Sequence, residues 1–204
     1  MKVVDLVIIA SLVVGGVVLT CWRLVVGDRF TPARLFSGIA ATVYCAGLVF
    51  FTFLPLSIGP SEYEKPWWIW IGVVPFQDLV DDPIGLMLNV ALFVPLGILA
   101  PLLLRTSTWL RTALVGLIVS GTIEIVQFIG DITISPGRVA DIDDLITNVL
   151  GTVVGYLLLR LAMLVTALRR VADLVSWPSP GATDRHDEES LSIPGSGSGS
   201  SLST

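Results

Sequence analysis

Asn89, Glu124, Gln127 and Asn148 interrupt otherwise apolar runs of this chain. An amide or carboxyl in hydrocarbon costs roughly a few kcal/mol unless it is paired or wetted, so each needs a partner or a role. Glu124 and Gln127 are three residues apart and share a helix face. Asp141, Asp144, Asn148, Gly151 and Gly155 recur at intervals of three and four and form a stripe, from which Asp143 is displaced. Arg138, in a short Pro136-Gly137 turn, is within reach of Glu124, Asp141 or Asp144 as a charge-assisted partner. Carboxylates, a guanidinium and amides together suit a ligand bearing hydroxyl, amide or phosphate groups. Glu124 is the candidate general acid or base. Asp141 and Asp144 are candidate oxygen ligands for Mg²⁺ or Ca²⁺, although no metal or other cofactor is assigned. Structural roles compete with these. Asp141 suits an N-cap followed by the first-turn acids Asp143 and Asp144, and Asn89 and Asn148 suit hydrogen bonds between helices. Pro95 and Gly97 suit a kink and a close contact.

The elements that position these groups follow from composition. Of 204 residues, 53% are hydrophobic and 14% charged, and mean hydropathy is +0.84, an apolar excess that no soluble domain of this length buries. A membrane crossing takes roughly 20 apolar residues, and five stretches qualify: 3–22, 35–56, 84–104, 112–130 and 145–168. The fold class is therefore all-α, a polytopic membrane helix bundle of about five transmembrane helices. The first stretch reads as a retained helix, because it lacks a small-x-small cleavage site and is followed by Arg23, Arg29 and Arg34. The domain reading is a first helix and connection over 1–34, a membrane domain over 35–170, and a tail over 171–204. That tail is rich in Ser, Gly, Pro and acids and reads as disordered. It carries the single histidine, His186, as a solvated residue. Cys21 and Cys45 have no metal or redox spacing and read as packing residues.

Nine of the twelve basic residues fall in the first and third connections and on the C-terminal side. The positive-inside rule then puts the N-terminus outside and the C-terminus in the cytoplasm. Asn89, Glu124, Gln127 and Asn148 come to lie in the outer third of the membrane, so three helices deliver polar groups to one level. Trp22 and Trp109 mark cytoplasmic boundaries, and Trp67, Trp68 and Trp70, with residues 73–76, read as a segment on the outer leaflet. A net charge of -5 excludes nucleic acid as a partner. Membrane lipids are the expected partners, and oligomeric state is not readable.

The run Gly137-Arg138-Val139-Ala140-Asp141-Ile142-Asp143-Asp144-Leu145-Ile146-Thr147-Asn148-Val149-Leu150-Gly151, preceded by Glu124-x-x-Gln127 and by Asn89 with Pro95-Leu96-Gly97, resembles the VanZ-like family of bacterial membrane proteins. Phe53-Leu54-Pro55 and Val74-Pro75-Phe76 accompany it, and the resemblance covers 48–156. It implies a multi-pass protein of the bacterial cell envelope, in a family named for a member associated with low-level resistance to the glycopeptide teicoplanin. Ala140 stands where members often carry an aromatic residue.

Two functions follow as expectations. One is a non-enzymatic envelope protein of the bacterial cell membrane, whose outward-facing pocket of Asn89, Glu124, Gln127, Arg138, Asp141, Asp144 and Asn148 binds or shields a lipid-linked or cell-wall headgroup. A lipid-linked cell-wall precursor or a glycopeptide would be its ligand. The other is an integral-membrane hydrolase or transferase acting on an envelope lipid, with Glu124 as acid or base. A proton-coupled transporter fits less well, since the five spans show no internal repeat.

Overall fold

The structure, a computed structural model, describes residues 3–27, 30–54, 71–72, 75, 82–104, 106, 108–133 and 140–177. Among the described residues there are six helices: α1 (Val3–Val26), α2 (Pro32–Phe53), α3 (Pro83–Leu104), α4 (Trp109–Thr133), α5 (Ile142–Ala162) and α6 (Thr166–Val175). Two short strands, β1 (Ile71–Gly72) and β2 (Ala140–Asp141), complete the elements. The first five helices are long and apolar enough to cross a bilayer. Only 11% of the α1 window and 33% of the α2 window is buried. Residues such as Leu88, Ile118, Ile125, Leu150 and Leu157 are exposed. In water that surface would be prohibitive, whereas lipid tails solvate it.

Local chemistry sets the helix starts. Thr31 Oγ1 accepts from Arg34 N at 3.3 Å with Pro32 at the first helical position of α2, and Asp82 Oδ1 accepts from Gly85 N at 2.9 Å at the start of α3. Thr108 Oγ1 accepts from Arg111 N at 3.3 Å at the start of α4. The fifth span ends at Ala162 rather than at 168. Met163 caps it, and Leu164 N and Val165 N donate to Leu161 O and Ala162 O, turning the chain into α6 although the composition stays apolar. Helix and cap continue through Ser176 to Trp177, so ordered backbone crosses the tail boundary set at 170/171.

The bundle is closed by glycine. A Cβ on Gly151 or Gly155 would strike the carbonyl of Val90 or Val94, and one on Gly97 would strike the carbonyl of Thr152. These backbones touch because no side chain stands between them, as the GxxxG spacing requires. Val90 with Gly151 and Val94 with Gly155 advance together, so α3 and α5 run parallel. A Cβ on Gly116 would meet the Thr152 side chain, and α4 runs antiparallel to α5. Leu48, Phe93 and Ile123 bring α2, α3 and α4 into one apolar core, with Tyr44 Oη donating to Leu92 O at 3.1 Å, one turn before Pro95 inside α3. β1 and β2 pair in parallel, Ile71 opposite Ala140 and Gly72 opposite Asp141. The α2–α3 and α4–α5 connections thus meet at one end of the bundle.

Candidate functional site

The site is built at that end. Asp141 has extended dihedrals (φ -115, ψ 135) and caps α5, its Oδ1 accepting from Asp143 N at 2.9 Å. The capping role weighed for Asp141 is therefore present. Its own backbone N–H points the other way and donates to Glu124 Oε2 at 3.3 Å, so one residue joins the start of α5 to the Glu124 face of α4. Three residues on, Asp144 Oδ1 accepts from Asn89 Nδ2 at 2.6 Å, which brings in α3. Asn89, Glu124, Asp141 and Asp144 are each half-buried.

One turn deeper, Asn148 is 4% exposed and its Nδ2 donates to Ser120 Oγ at 2.9 Å. Among the described residues its Oδ1 has no hydrogen-bond partner. Thr152 continues the column, donating to Asn148 O at 3.0 Å. Ser120 was not among the residues singled out in the sequence. Its signal was available, since it lies four residues before Glu124 and so on the same face of α4.

Two residues depart from the sequence reading. Gln127 does not turn to the acids: its Nε2 donates to Thr52 O of α2 at 3.3 Å. A three-residue step rotates a side chain about 60° from the starting face, which here is enough to reach α2. Asp143, placed off the stripe, is 2% exposed and more buried than either acid on it. Arg138 lies outside the described residues, as do Trp67, Trp68 and Trp70. Among the described residues no group of three or more His, Cys, Asp or Glu side chains has the arrangement to hold a metal ion.

Glu124 of α4, Asp141 and Asp144 at the start of α5, and Asn89 of α3 converge from three helices within the stretch that carries the family resemblance. A model of the VanZ/LLP1 family matches residues 41–164, well over half of the chain. The chain belongs to the VanZ/LLP1 family. No curated protein and no solved structure matches it. The match takes in α3, α4 and α5 whole, with the greater part of α2, so the polar cluster lies inside the VanZ/LLP1 region, and α1 and α6 lie outside it.

Proposed function

We propose that this VanZ/LLP1-family membrane protein sits in the bacterial cell membrane with its Glu124 end facing outward, and that the pocket there binds or shields the headgroup of a lipid-linked or cell-wall precursor. The observation that supports this reading is the convergence of Asn89–Asp144 and Glu124–Asp141 at one half-buried level. Paired acceptors and amide donors of this kind match sugar hydroxyls, peptide amides and phosphate-bridged groups, and Asn148 Oδ1, without a hydrogen-bond partner among the described residues, is one more acceptor below them. Access to such a headgroup would bear on glycopeptide action, which is where the family name points. A second reading rests on Glu124 itself. Among the described residues its carboxylate accepts a single hydrogen bond, through Oε2, which leaves Oε1 available for proton transfer in a hydrolase or transferase acting on the same lipid.

The test is purification of the wild-type chain from its own membranes in a mild detergent, with mass spectrometry of the lipids carried along. Headgroup binding enriches one phosphorylated or glycosylated lipid by about tenfold over the bulk membrane, the equivalent of about 1.4 kcal/mol. A lipid profile identical to the bulk contradicts it, and a hydrolysed or transferred product in place of the lipid selects the second reading.

A further inference from the structure

The opposite end of the bundle carries a second polar feature, made by the corner between α5 and α6. Arg160 stands in the last turn of α5, its guanidinium 6.0 Å from the centre of the Tyr156 ring, a cation–π distance. After the Met163 cap the chain turns, and Arg169 projects from the first turn of α6. Arg160 and Arg169 line one cavity of about 540 Å³ with Leu157, Leu161, Met163 and Leu164. Leu157, Leu161 and Leu164 are 55%, 63% and 78% exposed, so this wall opens onto the lipid-facing side of α5.

The corner is fixed in place. Ser37 Oγ donates to Val175 O at 2.9 Å and Arg34 Nε to Ser176 O at 3.3 Å, while Trp177 N donates to Leu102 O at 3.0 Å and Trp177 Nε1 to Ser37 Oγ at 3.1 Å. Those bonds tie the end of α6 to α2 and α3. Along α6, Ala172 and Val175 face the bundle, Leu168, Val171 and Leu174 stay exposed, and Arg169, Arg170 and Asp173 occupy the remaining arc. A short helix with an uncovered apolar face, a basic polar face and a fixed anchor lies in the plane of a membrane interface. Three arginines, Arg160, Arg169 and Arg170, stand against one acid, Asp173, and among the described residues neither Arg160 nor Arg169 is ion-paired.

We propose that the α5–α6 corner is a binding site for an anionic phospholipid, with the phosphate between Arg160 and Arg169 and an acyl chain along Leu157, Leu161 and Leu164. Guanidinium forks match phosphate oxygens, and the exposed leucines match the tail, so headgroup and chain are recognised by adjoining parts of one groove. The site is separate from the Glu124 end, and its fate is independent of what binds there.

Native mass spectrometry of the full chain with added dioleoylphosphatidylglycerol or dioleoylphosphatidylcholine tests it. The wild type should retain the anionic lipid preferentially, and Arg160→Gln and Arg169→Gln should each reduce that preference about fivefold. Arg170→Gln, which removes a charge of the basic face but lies outside the cavity lining, should cost clearly less than either, and Arg160→Lys combined with Arg169→Lys should retain part of the preference by keeping the charge. Excess glycerol 3-phosphate should not displace the lipid, because it lacks the tail. No preference in the wild type, a preference that survives in the double glutamine variant, equal loss in Arg170→Gln, or displacement by glycerol 3-phosphate overturns the proposal.

Discussion

Asn89 Nδ2 donates to Asp144 Oδ1 at 2.6 Å, tying the second turn of α3 to the first turn of α5 beside the Glu124 carboxylate. The same two helices touch backbone to backbone lower down, at Val90 with Gly151 and Val94 with Gly155. Apolar contact sets how close they come, and the polar bond sets how they are aligned at the site. Asn89→Ala should therefore lower stability by about 1–2 kcal/mol, the range for a charge-assisted bond tempered by the membrane setting. Asn89→Asp should cost more, by placing a carboxylate against Asp144. Thermal melting in detergent reads both, and an Asn89→Ala variant that melts with the wild type contradicts this role.

The glycine contact gives a second prediction. Gly155→Leu has no space for its Cβ against Val94 and should lose about 3 kcal/mol or more, seen as poor accumulation in the membrane. A Cβ on Gly121 of α4 would meet nothing within 4 Å, and Gly121→Leu should stay within about 0.5 kcal/mol of the wild type. Similar losses in both would mean that α3 and α5 are not held by this contact.

The five crossings were legible because roughly 20 apolar residues have few other uses, and the α5 stripe was legible because helical spacing is intrinsic to one helix. What crosses between helices was not. Gln127 shares a nominal face with Glu124, yet the nearness of Thr52 decides where it bonds, and α2 is 75 residues away in sequence. Asp143 is off the stripe of its own helix but buried by what surrounds it. The end of α5 was overrun because Met163-Leu164-Val165 is as apolar as the span before it, and a turn in the backbone leaves no mark in hydropathy.

Orientation is the third prediction. β1 and β2 bring the 55–82 and 134–141 connections to one face, so cysteines placed at Ser61 and Ser135 in a chain lacking Cys21 and Cys45 should share one accessibility. The skew of basic residues predicts that both react with a membrane-impermeant reagent in intact cells, while one at Ser196 does not. Labelling at Ser196 alone would invert the proposed orientation, and unequal labelling of Ser61 and Ser135 would contradict the pairing.

Because Asp143 is buried, it is not a fair control for the acids of the pocket although it lies off their stripe. Asp143→Asn should disturb the start of α5, whereas Asp173→Asn is exposed on α6 at the far end and should be silent. Melting temperature and membrane accumulation separate the two, and an Asp143→Asn chain as stable as Asp173→Asn would show that the buried carboxylate carries no structural weight.

Glu124→Gln tests the central claim most directly, since it preserves shape and hydrogen-bonding capacity while removing the charge and the strong acid or base. The measurement is the amount of headgroup lipid co-purified per protein, in Glu124→Gln against wild type at matched melting temperature. The pocket account predicts a fall of about tenfold, to the level of the bulk membrane, with the folded protein intact. Unchanged lipid in a folded Glu124→Gln chain would contradict it and leave the cluster at this end a structural network alone.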